Sequence, residues 1–281
     1  MKVLVTGAAG QLGADVVAHC LAAGDEVVAV DRAMLDITDD GAVRDVIGSA
    51  RPEVVVNAAA YTAVDACEKN VDLATAVNAI AVRSIAETCA DVGARLVHVS
   101  TDYVFDGTLA RPYREDDATN PQSVYGKTKL AGEMAAGPDA AIARTSWVCG
   151  AHGNNMVKLV LRLANETTDL TFVDDQRGCP TFTADLAPAL RRLAFDGRTG
   201  IHHLTNQRAV SWYEFVREIL EVAGYDPSRV RPISTSDLDP PRPAPRPANS
   251  VLDNAVWRDA GLPMLRDFRA PLTELVAELK S

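Results

Sequence analysis

A short apolar run at residues 3–5 feeds without a break into Thr6-Gly7-Ala8-Ala9-Gly10-Gln11-Leu12-Gly13, so three glycines recur at intervals of three where a strand must turn into a helix. Gly7 permits the tight turn, Gly10 lets backbone N–H groups approach a diphosphate, and Gly13 lets the helix lie close to the sheet. Such a junction commits the chain to strand, helix and returning strand. Further β-branched runs at 26–30, 53–56 and 96–99 alternate with helical patterns over 11–23 and 39–49 and along a stretch from Val71 that stops at Gly93. This alternation predicts parallel strands joined by crossover helices. The runs lack period-two alternation, as expected where helices cover both faces.

The fold expected from this pattern is α/β: a Rossmann-type doubly wound parallel sheet with a smaller C-terminal α/β lobe. A helix should start near Tyr125, after Asn120-Pro121, and a strand-like 141–143 leads into Arg144-Thr145-Ser146-Trp147. Beyond about residue 150 the alternation weakens, with helices predicted over 156–165 and 212–223 and a run at 183–194 between them. Prolines at 240, 241, 243, 245 and 247 deny the segment 240–247 a helix or central strand, because none of them carries an N–H. The division expected is a dinucleotide-binding domain over 1–150 and a mainly substrate-binding lobe over 151–281, with some segments returning to the first.

A hydrophobic share of 47% in 281 residues supports a sizeable core, and a net charge of −10 argues against a general nucleic-acid or anionic-membrane binder. The five cysteines form no C-x-x-C pair, which suits free thiols in a reducing compartment. His202 and His203 are adjacent in a strand-like segment and would face opposite ways, so no protein-built metal site is expected. The first apolar run is too short for a signal peptide or membrane helix, and the cytoplasm is the expected compartment.

The glycine loop assigns Gly7, Gly10, Gln11, Leu12 and Gly13 to a dinucleotide. Asp31, at the end of the next strand, can accept hydrogen bonds from an adenosine ribose, whereas Arg32 would attract a 2′-phosphate; NADPH and NADH both stay open as cofactors. Asp36 and Ile37 come next around the adenine, and Ala58, Ala59 and Ala60 offer small side chains at the end of the third strand. Tyr125 and Lys129 stand four residues apart, on one helix face, and no other tyrosine has a lysine at that spacing. A phenol is a poor proton donor or acceptor at neutral pH unless a nearby ammonium stabilises its phenolate. Lys129 would do this while bonding the nicotinamide ribose. Tyr125 would protonate a carbonyl oxygen, and Thr101, at a strand's carboxyl end, would donate to the same oxygen.

Thr6 to Gly13, Ser100-Thr101-Asp102-Tyr103-Val104-Phe105-Asp106-Gly107, Tyr125-Gly126-Lys127-Thr128-Lys129-Leu130-Ala131-Gly132-Glu133 and Arg144 to Val148 together resemble the dTDP-4-dehydrorhamnose reductase family of extended short-chain dehydrogenases/reductases. The likeness extends to residues 57–65, Gly178-Cys179-Pro180-Thr181 and Arg246-Pro247-Ala248-Asn249-Ser250. It implies reduction of the 4-keto group of dTDP-4-dehydro-6-deoxy-L-mannose to dTDP-L-rhamnose, with Thr101, Tyr125 and Lys129 catalytic. It also implies that Asp102 and Trp147 meet the sugar and that Arg246 holds the diphosphate. Some relatives form a magnesium-linked dimer through clustered glutamates, but Asp15 and Ala184 stand at the corresponding positions, so a monomer or weak homodimer is expected. Reductases of other nucleotide-linked 4-keto sugars, nucleotide-sugar epimerases and non-catalytic regulatory subunits share this scaffold.

Overall fold

The apolar runs form a six-stranded sheet in which every neighbouring pair is parallel. The computed structural model describes residues 1–167 and 169–281. Strands β1 (Lys2–Thr6), β2 (Glu26–Val30), β3 (Val54–Asn57), β4 (Arg95–Thr101) and β5 (Ala141–Thr145) lie in the order β5-β4-β3-β1-β2. The strand Gly200–His203 returns from late in the chain to pair with β5. This is the second common doubly wound order, and its reversal falls between β1 and β3, where ligands bind beyond the strand ends.

Both faces of the sheet are covered. Val3 and Val5 pack with Val16 and Cys20 of α1 (Gln11–Ala22), while Leu4 between them packs with Val43 and Ile47 of α2 (Asp40–Ala50) on the other side. That division is why β1 and β3 read as continuous apolar runs. The edge strand β2 is mostly half-buried or exposed.

After β3 the chain forms the short helix α3 (Val64–Cys67) and then the stretch that sequence reading treats as one helix from Val71. The structure divides it into α4 (Val71–Thr75), a π-helical segment at Ala76–Ile80, and α5 (Ala81–Val92), which ends on Gly93 at φ 74°. The widened turn lets Asn78 serve three partners. Its Oδ1 accepts from Tyr61 N at 2.8 Å, and its Nδ2 donates to Tyr61 O at 3.1 Å and Thr128 Oγ1 at 3.2 Å. Thr128 lies on α6 (Val124–Ala136), so the bulge joins the loop after β3 to that helix.

The later part of the chain has a core of its own. Val157 and Val160 of α7 (Met156–Glu166) meet Phe215, Val216 and Ile219 beyond them, with Phe268 and Leu272. The run at 183–194 is α8 (Thr183–Asp196), which packs on α1 and carries Leu186, Leu190 and Leu193 into the first core. Next come α9 (Trp212–Val222), α10 (Ala255–Asp259) and α11 (Arg269–Lys280), the last of which sequence reading does not predict. Pro271 in its first turn disguised it, although a proline there costs no helical hydrogen bond. Residues 240–247 form neither helix nor strand, as expected. Among the described residues, no helix is long and apolar enough to cross a membrane.

Two glycines give opposite expectations. A Cβ on Gly132 of α6 would fall 2.1 Å from Asn78 O, whereas one on Gly48 of α2 would have nothing within 4 Å. Gly132→Ala should therefore lose about 1–3 kcal/mol of stability, and Gly48→Ala should gain about 0.5–1 kcal/mol, both read from urea denaturation.

Candidate active site

The glycine loop is shaped by close approach. Gly7 sits at φ 67°, and a Cβ on it would lie 2.9 Å from Ala59 Cα; a Cβ on Gly13 would lie 2.1 Å from Gly7 O. Gly10 is the N-cap of α1 and brings no side-chain cap. The first N–H groups of that helix thus lack intrahelical partners, and the positive end of its dipole faces the same way. Beside them opens a cavity of about 290 Å³ lined by Thr6, Gly7, Gly10, Asp31, Arg32, Asp36, Ile37, Ala58, Ala59 and Ala60. Backbone donors, small side chains and a carboxylate at the strand end suit a dinucleotide.

Gln11, Leu12 and Gly13 do not line this cavity. The Gln11 side chain donates to Val148 O at 2.7 Å and accepts from Asn155, Leu12 belongs to the core, and Gly13 packs on the loop. Any contact from Gln11 and Leu12 must come from their backbone at the helix start. Asp31 Oδ1 accepts from Ala33 N and Met34 N at 2.9 and 3.0 Å, which leaves its other oxygen and the Arg32 guanidinium beside the cavity. The backbone N–H and hydroxyl of Thr38 hold the Asp36 carboxyl below its ordinary range. Sequence reading missed Leu35, Thr38, Tyr61, Leu73 and Val77 in the lining. Leu73 and Val77 come from α4 and the π segment, and no motif marks them.

At the carboxyl end of β4, Thr101 leads into a single 3₁₀ turn, Asp102–Val104. Ser123 caps α6, its Oγ accepting from Gly126 N at 3.1 Å, and Gly126 allows the approach to Tyr103 O, which a Cβ would meet at 2.2 Å. Tyr125 is thereby buried against Tyr103, ring centroids 5.4 Å apart and edge to face, with Thr101 as a hydrogen-bond partner of its phenol. Lys129, one turn on, is fully enclosed. Its Nζ donates to Val99 O at 2.7 Å and lies 3.4 Å from His98 Nε2.

The electrostatics depart from the expected acidified phenol. Burial pushes the Tyr125 phenol above its ordinary value, the bond with Thr101 opposes this, and Asp102, Tyr103 and Cys67 add to the rise. Burial also lowers Lys129 to about 8, against the pull of Glu133. Each group loses water that would have solvated its charge, and of the two neighbours Val99 O accepts from the ammonium. Asp102 is buried too. Its Oδ1 accepts from Thr101 Oγ1 at 3.0 Å, its Oδ2 has no hydrogen-bond partner among the described residues, and burial raises it to about 6.

Glu133, a further turn along α6, fastens the helix to the sheet. Arg144 of β5 donates Nε and Nη2 to its two oxygens at 2.9 and 2.7 Å, and Ser100 Oγ donates at 2.5 Å.

On the other side of Tyr103 lies a cavity of about 230 Å³ lined by Met156, Phe172, Gln176, Trp212, Arg242 and Arg246, among others. Arg246 reaches it as expected but is paired with Asp65 at 2.5 and 2.7 Å. Trp147 does not present a free face. Its indole stacks on Trp212 with centroids 3.5 Å apart, and the space a Cβ on Gly178 would take lies 2.5 Å from its Cε2. A ring stacked that closely leaves no room on the same face, so Gly178 covers the other and the sugar expected at Trp147 can meet only an edge. Trp147 keeps this place at φ 47°, a strained conformation for a bulky residue. Asp15 lies 3.8 Å from His152 in a separate surface cavity that also includes Ala184, Glu274 and Glu278. Among the described residues, no group of three His, Cys, Asp or Glu is placed to hold a metal.

The sequence profile described as RmlD substrate binding domain matches residues 1–281. The chain is 48% identical over 280 residues to a protein of Streptomyces griseus named dTDP-4-dehydrorhamnose reductase, covering 96% of this chain and 91% of that one. In structure it is similar to a dTDP-4-dehydrorhamnose reductase of Clostridium acetobutylicum, with a TM-score of 0.96, 40% identity and full coverage of both chains. It is also similar to the dTDP-4-dehydrorhamnose reductase of Bacillus anthracis solved in complex with NADP, with a TM-score of 0.94, 35% identity and 99% coverage of each chain.

Replacing one partner of the Glu133–Arg144 pair strands a buried charge. Arg144→Met should cost about 3–5 kcal/mol in a urea titration, and adding Glu133→Gln should recover part of that loss.

Proposed function

This chain belongs to the RmlD substrate binding domain family, and we propose that it reduces the 4-keto group of dTDP-4-dehydro-6-deoxy-L-mannose to give dTDP-L-rhamnose. The reading is supported by the bond between Thr101 and the Tyr125 phenol at the end of β4, by Lys129 one turn further along α6, and by the cavity that the glycine loop lines. A nicotinamide dinucleotide, NADPH or NADH, supplies the hydride. Gly7, Gly10 and the N–H groups of Gln11 and Leu12 would hold its diphosphate, Asp31 and Arg32 its adenosine ribose, and Ala58, Ala59 and Ala60 would flank it. The relative solved with NADP supports the phosphorylated form, as does Arg32, since one oxygen of the neighbouring Asp31 is engaged by Ala33 and Met34.

In reduction the protein must donate a proton to the ketone oxygen. A phenol raised by burial stays protonated at neutral pH, so Tyr125 is held in its donor form, and a developing alkoxide is a stronger base than a phenolate. Thr101 orients the same oxygen, and the Lys129 ammonium stabilises the phenolate left behind. Asp102, buried beneath Thr101, fixes that hydroxyl. Arg246 and Arg242, balanced by Asp65, would hold the sugar diphosphate, and the cavity beside Phe172 and Trp212 would take the base. We divide the chain near residue 150 into a dinucleotide-binding part and a mainly substrate-binding lobe, with α8 and Gly200–His203 returning to the first. We further propose a cytoplasmic enzyme that acts as a monomer or weak homodimer.

Four outcomes test this. Purified protein should oxidise NADPH only when a dTDP-4-keto-6-deoxyhexose is added, and Tyr125→Phe should abolish turnover while leaving NADPH binding intact; full activity in that variant would sink the assignment. Arg32→Ala should raise the KM for NADPH far more than that for NADH. Because Lys129 lies at about 8, kcat/KM should fall as pH rises through that value and the stabilising charge is lost.

A further inference from the structure

His98 has no role in the chemistry just described, yet it is fully enclosed beneath the catalytic helix with both ring nitrogens engaged. Three adjacent strands supply a row of buried polar side chains: Thr6 from β1, Asn57 from β3 and His98 from β4. Thr6 Oγ1 donates to Asn57 Oδ1 at 2.6 Å, which leaves Asn57 Nδ2 to face His98 Nδ1 at 3.1 Å. With the Asn57 amide in this orientation its nitrogen donates, Nδ1 accepts and the ring proton sits on Nε2. That N–H points at Lys129 Nζ, 3.4 Å away. An ammonium has no lone pair with which to receive it, whereas the uncharged amine has one.

We propose that His98, oriented by Asn57, is a positioning residue that sets the proton affinity of Lys129 by presenting a hydrogen-bond donor to it. The proposal rests on the reading of Lys129 as the ammonium that serves Tyr125. Of the other charged or titratable groups packed on α6, Glu133 favours the Lys129 ammonium and so opposes the donor. Glu133 is held by Arg144, and Asp102, Tyr103 and Cys67 bear on Tyr125. Burial keeps the imidazole itself neutral. An ammonium opposed by a donor gives up a proton more readily, and the amine that remains accepts from His98 Nε2.

The test needs no substrate. The chain has six lysines and five histidines, so protein carrying ¹³Cε-lysine and ring-¹⁵N histidine can be titrated by NMR, with Lys129 assigned through Lys129→Met. The wild-type protein should show His98 protonated at Nε2. In His98→Leu the Lys129 midpoint should rise by about one pH unit, a tenfold gain in proton affinity, and the basic limb of kcat/KM should move with it. An unchanged or lowered midpoint, or a ring proton on Nδ1, would overturn the proposal. If His98→Leu does not fold, the wild-type ring assignment decides alone. If the 4-keto sugar is not the substrate, turnover will be absent while these titrations still read out.

Discussion

The active centre depends on how closely α6 is drawn onto β4. Gly126 and Gly132 remove the side chains that would hold the helix away from Tyr103 O and Asn78 O, and the buried pair of Glu133 with Arg144 fastens its far end to β5. Such a pair repays its desolvation only when geometry and extra hydrogen bonds are good, and here two guanidinium contacts and the Ser100 hydroxyl provide them. Tyr125, Lys129 and Glu133 follow one another at single-turn intervals, so one rigid attachment places all three. The dryness that makes this attachment tight also governs the chemistry: it keeps the phenol protonated and makes the ammonium a readier donor.

The sheet and the glycine loop were legible because each rests on a local constraint. A strand covered on both faces favours an apolar run, as β1 has at Val3–Val5 and β3 at Val54–Val56, and a turn at φ 67° packed against Ala59 requires Gly7. Residues 31, 32 and 58–60 follow directly on strands whose ends must share one edge, and 36 and 37 come from the loop after β2 that folds back beside them. Leu12 separates backbone from side chain, since its position puts its N–H in the first turn of α1 while helical periodicity turns its side chain into the core.

The residues missed are those whose roles arise from long-range packing. The π segment at Ala76–Ile80 exists because Asn78 bonds two distant partners, neither visible in its own window. The partnership of Trp147 with Trp212 joins residues far apart in sequence, and its closeness turned an expected sugar platform into a sandwiched ring. Nor could spacing reveal that Lys129 lies 3.4 Å from His98, because that contact runs from helix to strand.

The late strand Gly200–His203 carries a consequence for synthesis on the ribosome. Until about two hundred residues have been made, β5 has no neighbour on its outer side, and a nascent chain holding only β1 to β5 would expose an open row of backbone donors and acceptors there. A fragment cut near the middle would inherit the same raw edge and with it a tendency to self-associate. The sheet built by the first part of the chain is therefore complete only when a strand from the later part pairs along its outer side.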